Sequence, residues 1–366
     1  MRAKTAGASM KAALDSGLDA ARRQDWKRLI LTNRTILMVA LLIIVIVLFS
    51  SLSTAGLTLG SYNADYLAFS AINLVPMGML AVAELFVIVS GAGGIDLSVG
   101  SVVTLAGMLF GFMYGVWNWP LPVALVLTVL FGSFCGLVNG VLVAYAGYPP
   151  LIVTLATYYA MWSIALTVND QKPISTPPIQ GMYEYSKKVE LPAWFGGQSL
   201  PLIPLGIFLF LIPTIIIVWV LVAKTTYGKR LYAIGTNDVA ASWAGINVKR
   251  TRAAAYVASG TIAGVVAIAT VSQFASARPD SGVSGNGMAL PAITIAVLGG
   301  VAIFGGIGTV LGVILAAMVI TWLNAGILLV FQGNLSGQIQ LLALGILLIG
   351  SALLNGFTNR RFAGAR

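Results

Sequence analysis

The sequence predicts an all-α polytopic membrane protein with about ten transmembrane helices, and three observations carry that prediction. Of the 366 residues, 58% are apolar and 9% charged, against roughly 25% charged in an ordinary soluble domain, so lipid must be the solvent for most of this chain. Charges are absent from 35–64, 97–169, 191–223, 253–277 and 281–359, and each void holds at least one span of about 20 residues. Of 21 Lys and Arg, eight lie before Thr35, six in 224–252 and three after Asn359, the positive-inside pattern of segments that flank spans on one face of a membrane.

Apolar runs read against Gly, Pro and polar breaks give candidate spans at 36–55, 66–90, 97–116, 121–145, 150–168, 202–223, 253–272, 289–305, 308–331 and 338–356. Six spans then separate the basic tail 1–34 from the basic loop 224–252, and four separate that loop from the tail 359–366, so all three fall on the cytoplasmic side of a permease domain at 35–358. The loop 169–201 falls outside, where Lys172, Lys187 and Lys188 are balanced by Asp170, Glu184 and Glu190. Arg278 lies outside beside Asp280. The eighth span is crowded by Gly285, Gly287, Pro291, Gly299 and Gly300, a composition that also suits a broken or partly re-entrant helix. In the second span Pro76 should kink the helix, and Pro149 and Pro150 suit the start of the fifth.

The formal charge of +10 does not point to nucleic acid, because the cations flank spans instead of forming a face on a soluble module. The chain has no histidine and one cysteine, Cys135, which leaves no basis for zinc or disulfide chemistry. The first apolar stretch follows more than 30 residues of basic tail, so the N-terminus reads as a cytoplasmic tail, with an amphipathic surface helix as one form, and not as a cleaved signal.

The loop 224–252 contains one short predicted helix over 238–244. Thr236 or Asn237 can cap it, Asp238 sits in the first turn where the helix dipole favours an anion, and Gly245 supplies a left-handed stop before Ile246. Two turns are marginal alone in water, so packing must hold them. Val239 and Trp243, four apart, share one face that lies either on the membrane domain or in a groove on a partner.

The run GTNDVAASWAGINVKR, the upstream YGKRLYAIG, GGIDLSVGS at 93–101 and PAITIAVLGGVAIFGGIGTVLG at 291–312 together resemble the permease family of bacterial ribose-type sugar importers powered by ATP. That resemblance covers nearly the whole chain beyond the tail. It implies a type II importer-like permease in the inner membrane, with the short cytoplasmic helix as a coupling helix in a cleft of a separate ATPase subunit. Gly235, Asn237, Asp238, Ala241, Trp243, Gly245, Ile246 and Asn247 would form the coupling segment. A second permease copy or a similar permease would complete the pore, and a periplasmic sugar-binding protein would dock outside, where 169–201 with Tyr183, Tyr185, Trp194 and Phe195 offers the largest surface. ATP and Mg would be bound by the ATPase, and this chain would hold no cofactor. Independently, Gly228-Lys229-Arg230 lacks the spacing and hydroxyl of a phosphate loop.

Inside the spans, Asp96 and Ser98 stand where they either cap the third span or act in a gate. Glu84 is the other embedded acid, and such a residue faces protein or water because burial in lipid costs about 2.5–3.5 kcal/mol on insertion scales. Asn73, Asn139, Gln273 and Asn324 are amides that either bond sugar hydroxyls or join helices. Candidate path or gate residues are therefore Asn73, Glu84, Asp96, Ser98 and Gln273. A weak internal echo links VSGAGGIDLSVGSV at 89–102 with LGGVAIFGGIGTV at 298–310, as duplicated Gly-interrupted segments do in transporters.

Two other classes compete. A secondary transporter needs ionisable residues at mid-membrane, and Glu84 alone clearly qualifies. An intramembrane enzyme needs converging acids, bases or metal ligands, and the apolar part offers two isolated acids and no histidine. The solute is open among pentoses, hexoses, deoxyhexoses and sugar-like autoinducers.

Overall fold

The computed structural model describes residues 34–190, 200–282 and 287–362. The tail before Arg34 with its expected surface helix, the loop aromatics Trp194 and Phe195, and Gly285 lie outside the described residues.

The helices are α1 Arg34–Thr54, α2 Ala64–Val89, α3 Val99–Val116, α4 Leu121–Ala144, α5 Pro150–Thr167, α6 Pro177–Gly181, α7 Ile207–Lys224, α8 Thr226–Thr236, α9 Asp238–Trp243, α10 Val248–Phe274, α11 Ala289–Leu298, α12 Val310–Val330 and α13 Asn334–Phe362. Nine of them, all but α6, α8, α9 and α11, are long and apolar enough to cross a membrane. The chain is thus a multi-pass α-helical membrane protein. Its described sheet is one two-stranded ribbon, β1 Lys188–Val189 antiparallel to β2 Ile203–Pro204. The last helix runs past the expected end of the permease domain at 358.

Burial sorts the bundle into a centre and a rim. Helices α2, α3 and α10 are mostly buried, whereas α1, α5, α7 and the apolar part of α13 turn most of their side chains outward. Both sets are apolar all round, so neither is a surface helix of a soluble protein. Prolines shape the spans as their missing N–H requires: Pro76 cannot bond the carbonyl of Ile72, and α2 winds as a 3₁₀ turn at Ala71–Asn73. Pro150 opens α5 behind Pro149.

Helix α4 packs against α10 more extensively than any other pair. Its Gly132, Gly136 and Gly140 form a four-residue repeat facing Ala253, Tyr256, Gly260 and Gly264, and a Cβ at Gly140 would stand 2.7 Å from the Ala253 carbonyl oxygen. Lipid tails give no hydrophobic drive between helices, so this backbone approach is what holds the pair. Sequence reasoning missed it, although the G-x-x-x-G-x-x-x-G spacing is its signal. Gly136→Leu should cost on the order of 3 kcal/mol, read as a lowered melting temperature of the detergent-solubilised protein.

The eighth span departs from the expected 289–305. The helix is only Ala289–Leu298, about 15 Å long, half the bilayer core. It ends in a Schellman motif: the Gly300 N–H donates to Val297 O (3.0 Å), the Val301 N–H to Ala296 O (3.1 Å), and Gly300 has φ +95°. Ahead of it, Gly282 lies against α3. There the Gly282 N–H donates to Thr104 Oγ1 at 2.9 Å and the Met288 N–H to Gly282 O at 3.0 Å. These bonds satisfy backbone N–H groups outside regular helix from within the protein, as a membrane interior requires.

At the end opposite the basic loop, residues 169–190 pack onto the bundle. Ile174, Ile179 and Met182 are buried, Ile174 bridges Ala277, and Lys188 lies 3.9 Å over the Phe69 ring. The segment caps the bundle and leaves Tyr183 and Tyr185 exposed.

Candidate functional site

The basic loop holds two helices where one was expected. Thr225 caps α8 by accepting from the Gly228 N–H, and Leu231 and Ile234, three apart, are buried while Lys229 and Arg230 are exposed. That short amphipathic pattern was available in YGKRLYAIG. Burial pushes the Tyr232 phenol above its ordinary range, so it stays protonated and donates to Gly308 O at 2.7 Å.

Helix α9 begins where Asn237 Oδ1 accepts from the Ala240 N–H at 2.9 Å, so Asn237 and not Thr236 is the cap. It ends in a second Schellman motif: the Gly245 N–H donates to Ser242 O (3.0 Å) and the Ile246 N–H to Ala241 O (3.0 Å), with Gly245 at φ +79°. Asn247 then caps α10 by accepting from the Arg250 N–H at 2.9 Å. Ala241 is buried beneath the helix, and Arg252 Nη2 reaches Asp238 Oδ2 and Ser90 O, both at 3.4 Å. Val239 is 62% exposed and Trp243 88% exposed. The pair expected to need cover is not laid back on the membrane domain.

Gly235 fixes this loop to the bundle. A Cβ there would run into Val89 O and the Gly306 backbone, and one on Gly91 would lie 2.9 Å from Gly235 Cα. The Gly306 N–H donates to Val89 O at 3.0 Å. The two segments of the sequence echo, 89–102 and 298–310, therefore meet each other and α8 at one backbone-to-backbone junction.

The five path or gate candidates fall into two places. Glu84, Asp96 and Ser98 are fully buried in a polar node. Asp96 Oδ1 accepts from the Ser98 N–H (3.0 Å) and Ser98 Oγ (2.6 Å), Asp96 Oδ2 accepts from Ser259 Oγ (3.2 Å), and the Asp96 N–H donates to Glu84 Oε2 (3.4 Å). Asn139 Nδ2 donates to Ser98 Oγ at 2.8 Å, and Thr157 Oγ1 to Asn139 Oδ1 at 2.8 Å. The node joins α2, α4, α5 and α10 around the α2–α3 turn. Asp96 bonds the residue before α3 and not its first turn, so it shapes the turn and is not the helix cap; Ser259 and Thr157 had no sequence signal.

Asn73 and Gln273 stand elsewhere, with Gln273 Nε2 donating to Asn73 Oδ1 at 3.2 Å. Together with Asn324, Gln340 and Thr321 they line an open cavity of about 340 Å³ between α2, α10, α12 and α13. Among the described residues no cluster of three or more His, Cys, Asp or Glu side chains forms a metal site.

Membrane-length spans, an open and largely apolar cavity into which four amides project, and a protruding two-turn helix are the parts of a membrane transport component. The chain belongs to the family described as "branched-chain amino acid transport system / permease component", whose model matches residues 66–352. It is similar to the "Autoinducer 2 import system permease protein LsrD" of Yersinia pseudotuberculosis serotype O:1b, 33% identical over 333 residues and 90% of each chain. The protein of the same name from Yersinia enterocolitica serotype O:8 is 34% identical over 292 residues, 78% of this chain and 82% of its own. No solved structure matches the chain significantly.

Proposed function

We propose that the chain is the membrane-spanning permease of an ATP-driven importer for a monosaccharide or sugar-like solute, working with a separate ATPase and an external binding protein. The carrying observation is α9: capped at both ends, anchored through Ala241 and Arg252, and exposing Val239 and Trp243 on its outer face. A two-turn helix held this firmly with an exposed tryptophan is built for helix-in-groove docking, and the ATPase is the partner. It binds the ATP and Mg. A second copy or a similar permease completes the pore.

Asn73 and Gln273 line the solute path; Glu84, Asp96 and Ser98 pin the gate behind it. Glu84 is sealed in the node and is not among the residues lining that cavity, which weighs against the secondary-transporter reading. The amides suit hydroxyl-bearing solutes, as does the import of autoinducer 2 named for the relatives. The cations that flank the spans support a reading with both termini and the basic loop in the cytoplasm, the chain lying in the bacterial inner membrane. The capped face with Tyr183 and Tyr185 receives the binding protein.

Trp243→Ala should weaken co-purification of the ATPase subunit roughly thirtyfold, as loss of an interfacial tryptophan does, while membrane insertion is unchanged. Undiminished ATPase binding would defeat the assignment. The solute is then read as the ligand that the system's binding protein retains.

A further inference from the structure

Helix α10 carries Arg252, Tyr256 and Ser259 at successive spacings of four and three, so they form one stripe. Its lower end holds the coupling helix through Arg252 and Asp238, and holds the end of α2 through Ser90 O. Its upper end holds the buried node through Ser259 and Asp96. From there hydrogen bonds run on to Glu84, Ser98, Asn139 and Thr157.

Three of the seven buried unpartnered polar atoms among the described residues lie along this route: Arg252 Nε, the Tyr256 hydroxyl and Glu84 Oε1. Tyr256 is fully buried and within electrostatic reach of Asp96, Glu84 and Arg252. Buried donors and acceptors are rarely left unmade. All three stand on the stripe between α9 and the node, a contiguous run of packed polar side chains of the kind that carries coupling between sites.

We propose that Ser259 and Tyr256 are positioning residues that carry displacement of α9 along α10 into the Glu84–Asp96 node, so that the node moves the α2–α3 turn when the coupling helix is pushed. This rests on the importer reading for the source of the push. The Ser259–Asp96 bond is the step where motion crosses from α10 to the turn.

The test reconstitutes the complete transporter, with its ATPase and binding protein, and measures solute imported and ATP hydrolysed. Ser259→Ala is compared with Thr270→Ala, a matched control whose buried hydroxyl bonds only Ala267 O in its own helix. Ser259→Ala should retain ATPase binding and raise the ATP hydrolysed per solute by roughly three- to tenfold, within the range that coupling variants show. Thr270→Ala should leave that ratio unchanged. Combining Ser259→Ala with Asp238→Asn should give a ratio no worse than the worse single variant, because both cut one route. An unchanged ratio in Ser259→Ala, an equal rise in Thr270→Ala, or multiplicative effects in the double variant would overturn the proposal and leave the importer reading intact. A wild-type chain that recruits no ATPase would overturn both.

Discussion

Gly245→Val is expected to weaken partner docking roughly thirtyfold while the protein still inserts and folds in the membrane. The residue closes α9 at φ +79°, a conformation that a β-branched side chain adopts only with about 2 kcal/mol of strain. Nothing lies within 4 Å of a Cβ there, so the effect is one of backbone conformation and not of collision. A helix of six residues has little cooperative reserve, and losing its stop removes both terminal Schellman bonds. About 2 kcal/mol corresponds to roughly thirtyfold in affinity. The checks are pull-down of the ATPase subunit and solute uptake, with insertion followed by membrane fractionation. Unimpaired pull-down and uptake would mean that α9 is not the docking element.

Gly235→Val should be more damaging, because it strikes the junction itself. The new side chain would meet the Val89 carbonyl and the backbone of Gly306, none of which is the yielding end of a side chain. Overpacking of this kind costs about 3 kcal/mol or more. The expected result is a lower melting temperature in detergent together with lost uptake. Gly181→Ala, where open space surrounds the position, should be silent in both assays.

Much of this architecture is legible in the sequence because the bilayer imposes it. Apolar length and charge placement fix most spans to within a few residues, as α1, α2 and α5 show. The short helix of the basic loop was readable from Asn237, Asp238 and Gly245, since capping is local chemistry. What escaped was tertiary. The glycines of the eighth span signalled a broken helix as one reading, but that α11 stops at Leu298 depends on Gly299 and Gly300 acting as a cap rather than as tolerated helix glycines, and periodicity does not separate those roles. Among the candidate path residues, Asn73 and Gln273 share a cavity while Glu84 and Asp96 share a sealed node. Nothing in their spacing divides them, because the division is made by which helices α10 touches at each level. Ser259 and Thr157 are ordinary small hydroxyl residues in sequence and become parts of a network only by packing.

The half-length α11 also bears on how the chain is made. At about 15 Å it is too short for the lipid to hold as an independent insertion unit, and the backbone before it borrows Thr104 from α3 to satisfy Gly282. Its C-terminal cap packs on the start of α12, where a Cβ on Gly299 would meet Val313 and Gly312. The seat of α11 is thus made by its neighbours on both sides in the chain, and a chain truncated before α12 is expected to leave this segment without the contacts that hold it.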